Sequence, residues 1–362
     1  MFKKFVLCLG MALMMICLLA ACGGDDQTPT EPVAPSDKAD APAVDGAEDE
    51  FAEYDYYEWS LAHCASLTHA RVVTFENFVD RVYEATNGHV KITLYGTGEL
   101  PYTATEYVSV ASSGVCEITD CSASNVSGEW KSVALPTFPF LCTNWDDFKT
   151  MIDTITPIIE QELNDEWNCR ILMFNADPLQ VLCGSGEPIL SLSDMNTRKV
   201  RGQNAYVQQF LELAGASPIT VTSNEIAEAM SHGIIDAFTT GAPTISSLKY
   251  YEYSDWLVDG ALLCTNSFAV ISNDVFDTLP EVFQEIILEQ GKICGDESWE
   301  VAKTQHEEAI AQIKEAGIDI YTMDEAFMQE GYELIKDSWY EWAKAASPAT
   351  VEALEATMEA LY

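Results

Sequence analysis

Basic side chains are scarce: the 362 residues hold 18 lysines and arginines against 58 aspartates and glutamates, a formal charge of −40. Such a surface repels polyanions, which excludes nucleic acid and anionic lipid as partners. Solubility accounts for nearly all of these charges. Histidine is scarcer still, with five in the chain, and His63, His69, His89, His232 and His306 are scattered. No HExxH, no Gly-x-Ser-x-Gly and no Walker loop occurs. No ligand spacing for a metal stands out among the abundant carboxylates. Gly96-Thr97-Gly98 and Gly184-Ser185-Gly186 are lone glycine turns, better explained as chain reversals than as phosphate cradles. His63 beside Cys64 is the nearest approach to a nucleophile pair, but adjacent side chains on a strand point to opposite faces and cannot hydrogen-bond each other well. The chain therefore reads as a non-enzyme with no cofactor and no metal.

Cysteine is present, eleven in all, but never in CxxC spacing. Cys8, Cys17 and Cys22 belong to the N-terminal region. The remaining eight have apolar neighbours, as in Val115-Cys116 and Leu182-Cys183. That pattern suits disulfides and buried free thiols alike.

An apolar run without charge covers Phe5 to Ala21, after Lys3 and Lys4. This is the order of a secretory signal, and the run is short for a bilayer core, which wants about 20 apolar residues. Leu19-Ala20-Ala21-Cys22 closes it with small residues before a cysteine, the pattern of a bacterial lipoprotein cleavage site. Residues 1–21 are thus expected to be a signal peptide and Cys22 the lipidated first residue of the mature chain. Loss of Lys3 and Lys4 takes the charge to −42. Residues 22–54, rich in Gly, Asp, Pro, Ala, Thr and Glu, read as a lipidated disordered tether. The protein is placed on the outer face of the cytoplasmic membrane.

The rest is too long for one core, since single cores stop growing at about 250–300 residues; two lobes with a cleft between them fit better. Strands are expected at Tyr56–Ala62, Val90–Tyr95 (alternating), Cys116–Asp120, Arg170–Phe174, Lys199–Gly202, Ile219–Val221 and Ile234–Phe238. Helices are expected over Val72–Thr86, Thr103–Ser113, Asp146–Asn164, Asn204–Ala214 and Asn224–Ser231, the last N-capped by Ser223. The alternation implies an α/β fold with parallel sheets. Trp256–Asn266 reads as a crossing between lobes, and the tail from Asp277 as mostly helical. Ligands in such folds sit beyond the carboxyl ends of strands, which directs attention to Arg201 at the end of its strand and to the loop Thr239-Thr240-Gly241-Ala242-Pro243. An arginine can meet a carboxylate with two parallel hydrogen bonds. Arg198 and Lys199 read as solvated surface.

The order of segments after the tether resembles the substrate-binding protein of TRAP transporters, the DctP-type extracytoplasmic solute receptors typified by dicarboxylate- and sialic acid-binding subunits. Leu192-Ser193-Asp194-Met195 with Lys199-Val200-Arg201 looks like the family's "eDlkGlKiRv", and Ala214 to Ile219 like its "lGasPv". Glu225 to Ala229 with Gly233-Ile234-Ile235-Asp236 match "E.y.ALq.GvvDg". Thr86-Asn87-Gly88, Gly98-Glu99-Leu100, Leu135-Pro136, Phe138 to Leu141 and Tyr250-Tyr251-Glu252 support the same assignment. The resemblance implies a two-lobed periplasmic-binding-protein-like fold with a long lobe-spanning helix. The lobes are expected at 55–178 plus 267–306 and at 179–266 plus 307–362. It also implies import through TRAP membrane permease subunits, and it puts the carboxylate-binding arginine on Arg201, with Asn204, Thr239, Thr240, Phe138 and Asn266 as further ligand contacts. Two positions depart from the family: Thr197 replaces a usual glycine, and no arginine lies between Ile171 and Thr197, where many members carry a second pocket arginine. A second anionic group then has no obvious partner, which favours a monocarboxylate. A ligand-presenting sensory module for a membrane receptor is an alternative, and a secreted catalytic lipoprotein another. A neighbouring kinase gene would favour the first, and turnover of a bound acid the second.

Overall fold

A computed structural model describes residues 49–362; the signal peptide, Cys22 and most of the tether lie outside the described residues. The tether was expected to reach residue 54, but Asp49–Tyr54 already belong to the folded body. Phe51 is buried against Phe283, and Asp49 pairs with His89 at 2.9 Å. Two aromatic anchors, Phe51 and Tyr54, tie this segment to Phe283 of the folded body.

Among the described residues eleven strands form two sheets. In chain order they are β1 Tyr57–Ala62, β2 Val90–Tyr95, β3 Ile118–Ser122, β4 Cys169–Ala176, β5 Gln180–Gly184, β6 Lys199–Arg201, β7 Ser217–Ile219, β8 Ala237–Gly241, β9 Trp256–Leu263, β10 Asn266–Ser272 and β11 Asp319–Thr322. The first sheet has the order β2-β1-β3-β10-β4, and the second β11-β9-β5-β8-β6-β7. Both are mixed, where the sequence suggested parallel sheets. β10 runs antiparallel to β3 and β4, and β5 runs antiparallel to β8 and β9. The cause is the double crossing of the chain: it leaves the first sheet through Asp177–Leu179 and re-enters it through Cys264-Thr265. The expected crossing at Trp256–Asn266 is therefore two residues long, and most of that segment is β9.

The strand expected at Ile234–Phe238 begins three residues later. After the helix Ile226–Ser231, Gly233 adopts φ +63°, and the amides of Ile234 and Ile235 close back onto the Ala229 carbonyl at 2.8 and 3.3 Å. Their hydrogen-bonding capacity is thus spent on ending the helix, and Ile235 is buried beneath it. Thr239 and Thr240 consequently lie in β8 and not in a loop. The helix Ile226–Ser231 is entered through a single 3-10 turn, Ser223–Glu225, capped by Thr222 in a capping box with Glu225, one residue before the expected Ser223.

The helix Glu281–Glu315 has 35 residues, about 52 Å at 1.5 Å per residue. Its first half packs on β4 and the helix Val73–Ala85, its second half on the helix Ala242–Ser247 and β11. It is the lobe-spanning helix. Close approach to β4 depends on Gly291 and Gly295, which face the backbone carbonyls of Leu172 and Phe174. The helix Pro348–Leu361 packs along the helix Trp145–Trp167, whereas the expected lobe division grouped it with the second lobe. All eight cysteines among the described residues are free thiols, seven of them buried.

Candidate functional site

A cleft of about 470 Å³ lies between the two sheets. Its first-lobe wall is the segment that follows β1, including Cys64, His69 and Arg71, with Ser122 and Asn125 beside it. Its second-lobe wall carries Gln180, Arg201, Gln203 and Thr240. The two crossings contribute Asp177 and Thr265, and the spanning helix contributes Gln305.

Arg201 ends β6, which pairs with β7 and β8. This register carries the guanidinium past both neighbours: Nε donates to the Val221 carbonyl at 3.1 Å and Nη1 to the Thr239 carbonyl at 2.9 Å. Those bonds fix its orientation without neutralising it. Arg201 is only 6% exposed, and no carboxylate among the described residues pairs with it. Burial pushes its pKa down, as expected when a cation loses water without gaining a counter-charge.

Of the other expected contacts, Thr240 lines the cleft. Thr239 is fully buried and contributes its carbonyl to Arg201. Asn204 caps the helix Ala205–Leu213 by accepting the Val207 amide at 2.9 Å, and its neighbour Gln203 faces the cleft. Phe138 is core, packed against Tyr206 and Trp342 with ring centroids 4.5 and 5.4 Å apart. Asn266 is fully buried in β10 with its side-chain amide unpartnered, and the cleft wall at that point is Thr265.

Arg71 was missed. It lies 3.2 Å from Asp177 and 4.0 Å from Asp120. Burial acts to lower its pKa, and Asp177, Cys64 and Asp120 outweigh burial and raise it. Burial pushes the Asp177 carboxyl up to about 6, against the pull of Arg71. Burial would raise Asp120 as well, but His63 and Arg71 hold it below the usual range. The cleft thus contains two arginines of different status: Arg71 is neutralised by the protein, and Arg201 is not. His63 and Cys64 also behave differently from expectation. β1 ends at Ala62, so strand alternation no longer governs them, and both side chains converge on Asp120.

Comparison with known proteins bears on the family and the fold. Residues 61–345 match the family model described as bacterial extracellular solute-binding protein, family 7, DctP. The chain is 27% identical over 253 residues to a solute-binding protein of Sulfitobacter sp. NAS-14.1, covering 69% of this chain and 76% of that one. It is 24% identical over 267 residues to the sialic acid-binding periplasmic protein SiaP of Vibrio cholerae, covering 71% and 81%. The fold matches DctP7 of Bordetella pertussis, an extracytoplasmic solute receptor binding pyroglutamic acid, with a TM-score of 0.75 at 21% identity over 83% of this chain and 99% of that one. A two-lobed α/β fold, a spanning helix, an inter-lobe cleft and a family match over most of the chain lead to one conclusion: this protein belongs to the bacterial extracellular solute-binding proteins of family 7, the TRAP-type solute receptors, and is a binding protein and not an enzyme.

Proposed function

We propose that the protein captures a small organic monocarboxylate between its lobes, with Arg201 as the carboxylate clamp, and delivers it to TRAP permease subunits. The observation that carries this reading is the buried, oriented guanidinium of Arg201 with no counter-charge among the described residues. A cation held in that state favours an anion strongly, because a water-poor site weakens screening. The monocarboxylate preference rests on Arg71, whose charge is already met by Asp177 and Asp120. Sialic acid and pyroglutamic acid, named for the two relatives above, each carry one carboxylate, which is compatible with the same choice. Thr240 and Gln203 are placed to bond further polar groups of the ligand. Closure of the two lobes over the cleft would expel water; ligand then shifts an open form toward a closed one.

Thermal melting against a panel of mono- and dicarboxylates tests this, since a ligand that binds only the folded form raises the melting temperature. A monocarboxylate is expected to give the largest rise, about 2.7 kcal/mol of stabilisation at 100 times its dissociation constant. A panel in which dicarboxylates stabilise more, or no acid stabilises at all, sinks the reading.

The proposal extends to the N-terminus: Cys22 is the lipid-bearing residue that tethers the receptor to the membrane. In cells, the parent is expected in the membrane fraction and to label with a radioactive or clickable palmitate, and Cys22→Ala in neither. Equal fractionation of both would rule out the anchor.

A further inference from the structure

The first-lobe side of the cleft holds a cluster that carboxylate binding by Arg201 does not use. His63, Cys64 and Asp120 each bring one donor atom to within 4.8 Å of the others. His63 and Asp120 are fully buried, and Cys64, partly exposed, lines the cleft. His63 Nε2 stands 3.3 Å from Asp120 Oδ2, yet Nε2 and Asp120 Oδ1 are both buried without a hydrogen-bond partner. The separation is therefore close without being a formed hydrogen bond. It equals the edge of a tetrahedron whose nitrogen and oxygen corners lie about 2.0–2.1 Å from the centre, roughly 3.3 Å.

The surroundings suit an ion at that centre. His63 Nδ1 faces Ala65, 3.2 Å from its carbonyl oxygen and 3.0 Å from its amide nitrogen. In the empty site the Ala65 amide donates to Nδ1, so a cation at Nε2 shifts the ring proton to Nδ1, where the Ala65 carbonyl oxygen is at hand to accept it, and Nε2 then presents its lone pair toward Cys64 and Asp120, the arrangement in which histidine ligates metals. Asp120 Oδ2 is held by the Cys64 amide at 3.1 Å, and Arg71 stands 4.0 Å from Oδ1. With Cys64 as thiolate, the charges of Cys64, Asp120 and Asp177 exceed that of Arg71 by two, which one divalent cation cancels.

We propose that His63, Cys64 and Asp120 form a site for a borderline-soft divalent cation of the zinc class, with its fourth position open to the cleft. A thiolate, an imidazole and a carboxylate are the donor types such an ion takes. Binding releases the Cys64 thiol proton to solvent, and an oxygen of a bound solute can complete the shell. The site is independent of Arg201.

Protein stripped with a chelator and titrated with Co²⁺ is expected to show a near-ultraviolet thiolate-to-cobalt band and visible bands of tetrahedral cobalt, saturating at one ion and displaced by Zn²⁺. Cys64→Ser should lose the thiolate band, and Asp120→Asn should bind cobalt at least about 10-fold more weakly, since even indirect supports of a metal are worth that much. Arg201→Met should keep the full spectrum, which separates this site from the carboxylate clamp. A second measurement needs no variant: Zn²⁺ should protect Cys64 of the native protein from iodoacetamide, mapped by mass spectrometry. Absence of the band in the parent, its survival in Cys64→Ser, or equal alkylation with and without Zn²⁺ overturns the proposal.

Discussion

Arg201→Met is expected to weaken the bound acid by about 100-fold or more while leaving the empty protein nearly as stable as the parent. Truncating one member of a buried, hydrogen-bonded charge pair costs about 2–5 kcal/mol, and in the liganded cleft the carboxylate would lose its cation. The empty protein has no such pair to lose. Arg201 there carries a desolvated charge whose bonds among the described residues run to the Val221 and Thr239 carbonyls. Removing the charge relieves its desolvation, and removing the donors leaves two carbonyls short, so the two effects oppose each other. The melting temperature of the unliganded variant should stay within about 2 °C of the parent, roughly the shift that about 1 kcal/mol produces in a chain of this length. Arg201→Lys should bind almost as poorly as Arg201→Met, because an ammonium cannot present the parallel fork. Calorimetric titration with the acid found in the panel, alongside melting of each empty protein, checks all three. Full affinity in Arg201→Met would remove the clamp from the mechanism, and a collapse in stability would mean that Arg201 is structural.

Gly291→Ala is expected to be the most damaging single-methyl addition in the spanning helix. A Cβ at Gly291 would sit 1.9 Å from the Leu172 carbonyl oxygen, and the obstacle is backbone, which has no rotamer to yield. β4 is an edge strand held on one side by β10, so relief means prising strand and helix apart. Overpacking typically costs about 1–3 kcal/mol; with a main-chain clash the loss should reach about 3 kcal/mol, a drop of roughly 4–5 °C in a chain of this length. Gly128→Ala is the control, because a Cβ there meets nothing within 4 Å. Equal melting temperatures for the two variants would contradict the packing described.

What was legible in the sequence was local. Val90–Tyr95 alternates and is β2 to the residue; the helix Val73–Ala85 stops where Asn87-Gly88 turns the chain with two positive φ values. Arg201 was legible through its place at a strand end before Gly202. Pairings between distant segments were not. β5 was overlooked because Gln180–Gly184 lies between Pro178 and a glycine turn and is buried throughout, so it shows no alternation. The mixed sheets depend on β10 returning from the other lobe, which no window of sequence contains. Arg71 escaped notice because its partners, Asp120 and Asp177, are far away in sequence. Thr197 was noticed for replacing a glycine, and it does take a left-handed φ of +63°. Its amide bonds the Gly215 carbonyl at 2.9 Å, so the turn is kept at some conformational strain.

The position of β10 sets the order of events in making the protein. β3 and β4 never touch as strands; each pairs with β10, whose residues 266–272 are synthesised long after both. Until that strand emerges the first sheet stays split between β3 and β4. Closing such distant segments is slow. For a receptor that works outside the cytoplasm, the consequence is that its first sheet can close only once residue 272 of 362 has been made.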